Sequence, residues 1–301
     1  MSARARAARR RPATTAHLAL VIAAFFFGST FVVVKDAVKD VGPLPFLAVR
    51  FAVGSVVLWP LAWRRPPTRG WPRAGAWCGL ALLVGYVFQT VGLQYTSSSR
   101  SALITYLLIV IVPIIGAVVH RSPPSGSTVA GIAVALVGLF LLNGSSLAFG
   151  KGEALTLACA CAFAVHIVLL AELSPMHDTF RLTALQLAVV SAGCAVPGLF
   201  TGGYHFTARA WIAAVYTGLA ASAAAFGLMV WAQRRVGPTR TALLLMLEPV
   251  FAGVVGYVVG DRLGASGVVG AVLILAGILV AEARPSIVAR RGRFLDRAVK
   301  P

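Results

Sequence analysis

Apolar positions in this chain recur neither every second residue nor on one helical face; they run in long blocks. Ten blocks can be marked, at 18–34, 44–63, 74–93, 102–119, 128–143, 154–173, 182–200, 210–232, 241–259 and 264–283. A helix needs about 20 predominantly apolar residues to cross a bilayer. A helix that is apolar all round must face lipid or a packed interior. The connections are short and carry the Pro, Arg and Asp residues, so no soluble domain fits between them. The pattern predicts an all-α integral membrane protein with ten transmembrane helices.

Composition agrees. Residues are 58% hydrophobic and 12% charged, with mean hydropathy +0.85, whereas a soluble domain is about 25% charged. The net charge of +18 would suggest nucleic acid in a soluble protein, but the positions of the basic residues point elsewhere. Of the 27 Lys and Arg, 20 lie on one side of a ten-span alternation and 6 on the other, with Arg50 inside a block. Basic residues flanking spans are retained in the cytoplasm. Both termini and the Arg64–Arg73 loop are therefore expected inside a plasma membrane, with a lipid bilayer and no nucleic acid as partner. The basic N-tail before block one resembles a signal peptide, yet no small-x-small cleavage site follows it. Cys78, Cys159, Cys161 and Cys194 all fall in apolar blocks without a C-x-x-C pair, so they read as packing residues, and neither a metal nor a cofactor is implied.

The chain repeats itself. Gly79-Leu80 matches Gly218-Leu219, Gln94 matches Gln233, Gly131 matches Gly270 and Gly138 matches Gly277, all 139 residues apart. Arg100-Ser101-Ala102-Leu103 matches Arg240-Thr241-Ala242-Leu243 at 140. Halving ten spans leaves five in each half, and an odd number inverts the second half in the membrane. The expected units are residues 1–146 and 147–301, joined at the polar stretch Asn143 to Gly152. Inverted repeats characterise secondary transporters, whose sites lie near the midplane where helices are broken. Pro113 and Pro249 occupy the fourth spans of the two halves. Each removes an N–H and frees the carbonyl of Ile109 or Leu245, so both are expected helix breaks, unless they are only tolerated kinks.

These residues also carry a resemblance. Phe27-Gly28-Ser29 with Phe31 and Lys35, Arg50-Phe51, Gly92-Leu93-Gln94-Tyr95-Thr96-Ser97, and Pro238-Thr239-Arg240-Thr241-Ala242-Leu243 leading to Glu248-Pro249 occur in order along nearly the whole chain, before Gly270 to Gly277. In this they resemble an EamA-type member of the drug/metabolite transporter superfamily. Members usually carry Trp where this chain has Phe27, and Gly-Glu where it has Gly260-Asp261. The resemblance implies a ten-helix bundle with a central cavity that exports or exchanges small metabolites.

Ionisable groups at mid-membrane are costly and usually face a cavity or a partner. Glu248, beside Pro249, reads as a proton-coupling group, a contact for a cationic substrate, or a structural carboxylate. His166 sits mid-block as a titratable or packing residue. Arg50 can snorkel outward, pair with Asp36 or Asp40, or bind an anionic group. Tyr86, Gln89 and Thr90 share a helix face; Thr105 and Tyr106 precede Ile109; Trp231 lies near an inner end. Such groups can line a site for a small polar molecule with an apolar part, or make contacts between helices. The glycines at 131, 138, 270 and 277 form stripes suited to close helix packing.

A secondary transporter, driven by protons or by exchange, is the expected function: an exporter of small molecules such as amino acids or related amphipathic compounds, not an enzyme. No G-x-x-x-x-G-K-[ST] sequence exists to cradle a nucleotide. The alternative is a membrane-embedded transferase using Asp36 and Asp40 to hold Mg²⁺ on a diphosphate, but no second acidic set accompanies them. Oligomeric state is open, and a monomer is compatible with the sequence.

Overall fold

The structure, a computed structural model, describes residues 3–92, 94–96, 101, 104–143, 150–258 and 264–282. The described residues are helical, with no strand among them. The helices are α1 (Ala3–Val41), α2 (Pro43–Trp63), α3 (Trp71–Gly92), α4 (Leu108–His120), α5 (Gly126–Asn143), α6 (Lys151–Leu173), α7 (Thr179–Phe200), α8 (Ala208–Val236), α9 (Pro238–Leu245), α10 (Leu247–Val258) and α11 (Ala265–Glu282). Six segments are long and apolar enough to cross a membrane: α2, α3, Lys151–Met176, α7, α8 and Pro238–Val255. Four shorter apolar stretches, Thr14–Thr30, Leu108–His120, Gly126–Leu141 and Ala265–Ala281, fall on the remaining blocks. Spans of 21 and 22 residues rise about 32 Å at 1.5 Å per residue, the thickness of the hydrocarbon layer. Large apolar side chains cover the outside, among them Phe200, Val118 and Leu279; in water such a surface would be a liability, whereas against lipid it is solvated.

Local signals set the ends. Pro43 and Pro238 stand at the first turns of α2 and α9, where a missing N–H costs nothing. Asp178 accepts from Phe180 N and Arg181 N to cap α7, and Thr207 accepts from Ala210 N to cap α8. Glu153, which the sequence reading passed over, accepts from the Gly150 N–H and from the Thr96 hydroxyl. Within α8, Gly218–Ala225 is π-helical.

The prolines do not sit where the chain breaks, which corrects the expectation at Pro113 and Pro249. Helix α4 continues through Pro113. The irregular turn precedes it at Tyr106-Leu107, where Ile109 N bonds Tyr106 O and Val110 N bonds Leu107 O. The second break is at Met246, whose N–H reaches Leu243 O. Pro249 is the third residue of α10, within the first turn, where an N–H has no intrahelical partner to lose. Pro113, the sixth residue of α4, lies beyond the first turn and does leave Ile109 O without its helical donor, whereas Pro249 forfeits no bond.

Packing pairs the first part of the chain with the second: α5 with α11, α2 with α7, α3 with α6 and α7, and α1 with α8 and α10. Two of these contacts are self-complementary. A Cβ on Gly138 would lie 2.6 Å from Gly270 O, and one on Gly277 would lie 2.6 Å from Gly131 O. Glycines near the start of α5 thus meet glycines near the end of α11, so the two helices run antiparallel. Likewise Ser55 donates to Ala184 O at 2.9 Å and Ser191 donates to Ala48 O at 2.8 Å, giving α2 and α7 one reciprocal bond each way. Of the matched sequence pairs, Arg100, Ala102 and Leu103 lie outside the described residues, as do 144–149 of the seam and Gly260-Asp261.

Candidate substrate site

Two helix breaks and one π-helical stretch bring polar groups to the middle of the bundle. Tyr106 lies in the turn before α4, and Glu248 is the second residue of α10, just beyond Met246. The first turn of a helix is electrostatically favourable for a carboxylate. Gly28 of α1 lets that turn approach, since a Cβ there would lie 2.5 Å from Glu248 O. Tyr106, buried in the turn before α4, lies close enough to Glu248 for the two side chains to interact.

Arg50 is buried in α2 at 5% exposure. Its Nε donates to Ser222 Oγ at 3.1 Å. It therefore neither snorkels to an interface nor stands alone. Asp40 is exposed at the end of α1, and the side chain of Asp36 lies outside the described residues. Ser222 belongs to the π-helical stretch of α8, the type of irregularity often found at functional sites. Arg50 and Glu248 lie close enough to interact electrostatically.

Aromatic rings surround these groups. Phe226 makes ring contacts with Phe27, Phe51, Tyr86 and His166 at centroid distances of 5.1 to 6.4 Å. Tyr86 also meets Phe51 at 4.8 Å and Phe163 at 5.2 Å. The Arg50 guanidinium carbon lies 5.3 Å from the Phe51 ring centre and 5.7 Å from that of Tyr86, within cation–π range.

The structure thus brings Arg50, Tyr86, Tyr106 and Glu248 together. Thr105 adjoins them, buried, with no oxygen or nitrogen partner and with the Cys159 sulfur beside it. His166 is joined through Phe226, and its Nε2 lies 2.6 Å from Gln186 Oε1. Since Gln186 Nε2 donates to Leu182 O, Oε1 is the acceptor and His166 donates from Nε2. Gln89 is half-buried on α3, and the Thr90 hydroxyl is spent on Tyr86 O. Trp231, in the last turns of α8, packs against the core and under the Arg235 guanidinium at 3.9 Å, and none of its described contacts is with Arg50 or Glu248. Among the described residues no group of three His, Cys, Asp or Glu could hold a metal.

Sequence reasoning missed Ser222, Phe226, Gln186 and Gln233. Gln233 is buried, donates to Ile167 O and leaves its Oε1 unpartnered. A single hydroxyl in the run Ala-Ala-Ser-Ala-Ala-Ala was the available signal for Ser222, an amide inside block seven was that for Gln186, and Gln233 lies one residue past the end of block eight.

Comparison with known proteins gives the class. The model of the EamA-like transporter family matches this chain twice, at residues 14–144 and 150–282. The chain belongs to that family. It is 31% identical over 274 residues to an uncharacterized transporter of Archaeoglobus fulgidus, covering 89% of this chain and 86% of that protein. It is 27% identical to the uncharacterized transporter YwfM of Bacillus subtilis, covering 89% and 94%. A protein of known crystal structure superposes with a TM-score of 0.76 at 21% identity, over 92% of this chain and 98% of the other, which shows the shared fold. The protein is a multi-pass membrane protein of a transporter family.

Proposed function

We propose that the protein is a secondary transporter that exports small amphipathic metabolites, such as amino acids or related compounds, across the plasma membrane. It spans the bilayer ten times as two inverted five-span repeats, residues 1–146 and 147–301, with both termini cytoplasmic. Support for the inversion comes from the double family match and from the self-complementary pairs α5–α11 and α2–α7. The charge split supports the orientation.

The observation that carries the transport reading is the central cluster. Two opposite charges sit in the interior at the junction of both halves, each beside a break or a π-helical turn. A structural protein would have little reason to maintain such charges in a bilayer. In this reading Tyr86, Gln89, Thr105, Tyr106 and His166 line the pathway, and Glu248 is the proton-coupling group, faced by Arg50, Tyr86 and Tyr106.

Glu248→Gln tests this. On one set of liposomes, pH-gradient-driven uptake should be abolished, while counterflow exchange at saturating substrate persists. Undiminished driven uptake removes Glu248 from the coupling. Loss of both activities with loss of folded protein assigns it a structural role.

A further inference from the structure

Helices α4 and α5 follow one another along the chain, yet their main partners lie elsewhere: α5 packs on α11, and α4 packs on α6 and α9. Between α4 and α5 runs a groove of about 360 Å³. Pro113, Ile114, Ala117 and Val118 line it from α4, and Val129 and Ile132 from α5, so its walls are apolar. The four α4 residues share one helix face through spacings of three and four. Ile114, Val118 and Val129 are exposed. The groove reaches Pro124 of the connection 121–125. Arg121 stands in that connection, exposed and in the left-handed conformation at φ 48°. Among the described residues its guanidinium has neither a hydrogen-bond nor an ion-pair partner. No acidic residue occurs from Ala117 to Ala130, and the Glu172 carboxylate at this end of the bundle lies 3.1 Å from His120 Nε2 instead. Through that contact, and through Thr68 on His177, Arg121 is placed at the same end as the exposed Arg64, Arg65, Arg69 and Arg73.

We propose that the α4–α5 groove binds an anionic phospholipid, with an acyl chain along Ile114, Val118 and Val129 and its phosphate on Arg121. A void between two helices forfeits the dispersion contacts of its lining, and in a bilayer hydrocarbon is at hand to restore them. A lipid tail in this groove carries its headgroup to the level where the apolar run of α4 stops, at His120. The next residue is Arg121, whose planar guanidinium can offer a phosphate two parallel N–H donors. A phosphatidylcholine headgroup brings its own cation to the same place, so the attraction is largely cancelled; an anionic headgroup keeps it. The surrounding arginines raise the local concentration of anionic lipid within a Debye length. What sets Arg121 apart from them is the groove beneath it. The bound tail gives α4 and α5 the packing that they do not give each other. The site is independent of the transport reading and of the central cluster.

The test uses the purified full-length protein in detergent, with dioleoyl phosphatidylglycerol and dioleoyl phosphatidylcholine as probes. The two share their tails and differ in headgroup charge. Bound lipid is counted by native mass spectrometry, and stabilisation is read from thermal melts. The protein is expected to hold one phosphatidylglycerol about fivefold or more tighter than phosphatidylcholine, and to melt higher with it, since one basic residue at a headgroup contributes about 1 kcal/mol. Arg121→Asn introduces a neutral residue that tolerates left-handed backbone; it should abolish the preference and leave phosphatidylcholine unchanged. Ala117→Phe fills the groove with Arg121 still in place, and should weaken phosphatidylglycerol by a similar factor. Arg69→Gln removes an equal charge at the same end and should change nothing. Equal binding of the two lipids overturns the proposal. A preference lowered as much by Arg69→Gln as by Arg121→Asn also overturns it, because diffuse surface charge would then be the cause. Undiminished binding in Ala117→Phe places the lipid elsewhere, and a dimer that forms without lipid and is lost in that variant assigns the groove to a second copy; either result sinks the site. If Ala117→Phe fails to fold, the two arginine variants still decide.

Discussion

The two halves matched by one family model share a scaffold and differ in chemistry. In the scaffold they are interchangeable: Gly131 and Gly138 are to α5 what Gly270 and Gly277 are to α11, and Ser55 does for α2 what Ser191 does for α7. At the centre they part. Counted from the serine contacts, Arg50 of α2 corresponds to Gln186 of α7, which binds His166. The residue before Pro249 is Glu248, and the residue before Pro113 is the buried Val112. A repeated framework fixes where helices cross, and single substitutions within it place one positive and one negative charge. The lesson is that scaffold residues are paired along the sequence and site residues are not.

The harshest test of the shared scaffold is to fill its tightest contacts. Gly138→Val and Gly277→Val should each destabilise the protein by about 2–3 kcal/mol or more, as overpacking does. The two losses should be similar in thermal melts of the purified protein. A large loss at one glycine and none at the other would break the equivalence of α5 and α11.

The divergent centre is probed next. Arg50→Gln should lower counterflow exchange at subsaturating substrate by at least about thirtyfold. Gln186→Ala should lower stability by leaving His166 unpaired, by about 1–3 kcal/mol, and change exchange by less than about threefold. Equal effects on exchange would mean that both halves contribute alike to the site.

Smaller effects belong to the reciprocal serines. Ser55→Ala and Ser191→Ala should each cost about 1 kcal/mol. The double variant should be additive, because the two bonds lie roughly 10 Å apart along the helices. The slightest concerns the α2–α3 and α6–α7 connections, where His177 Nδ1 lies 2.7 Å from Thr68 Oγ1. Burial holds this imidazole below its usual value, so the unfolded chain takes up the proton first. Stability is then complete above about pH 6.5 and falls as the pH drops towards 5. His177→Gln should flatten that part of the profile in melts at stepped pH.

The block pattern made the helices legible, because apolar length is a local property that each segment states by itself. The glycine stripes announced close helix packing, but that α5 and α11 are each other's partners is visible only in the structure. The members of the site were half legible. Arg50, Tyr86, Tyr106 and Glu248 stand out because polar groups are rare in apolar blocks. Their partners did not, since the Arg50–Ser222 bond joins residues 172 positions apart and no spacing rule reaches that far. The helix breaks were misplaced on Pro113 and Pro249 for a related reason. A proline shows which N–H is missing, but the turn at Tyr106-Leu107 depends on what the backbone packs against.

That 172-residue separation has a consequence for biosynthesis. The ribosome delivers α2 to the membrane long before α8 exists, so Arg50 enters the bilayer with Ser222 still unmade, and Tyr106 likewise precedes Glu248. An uncompensated arginine in a span costs a few kcal/mol by insertion scales, and the nascent chain must bear that cost until its later helices arrive. Insertion of the first half is therefore provisional, and its second span is anchored only when synthesis has passed residue 222.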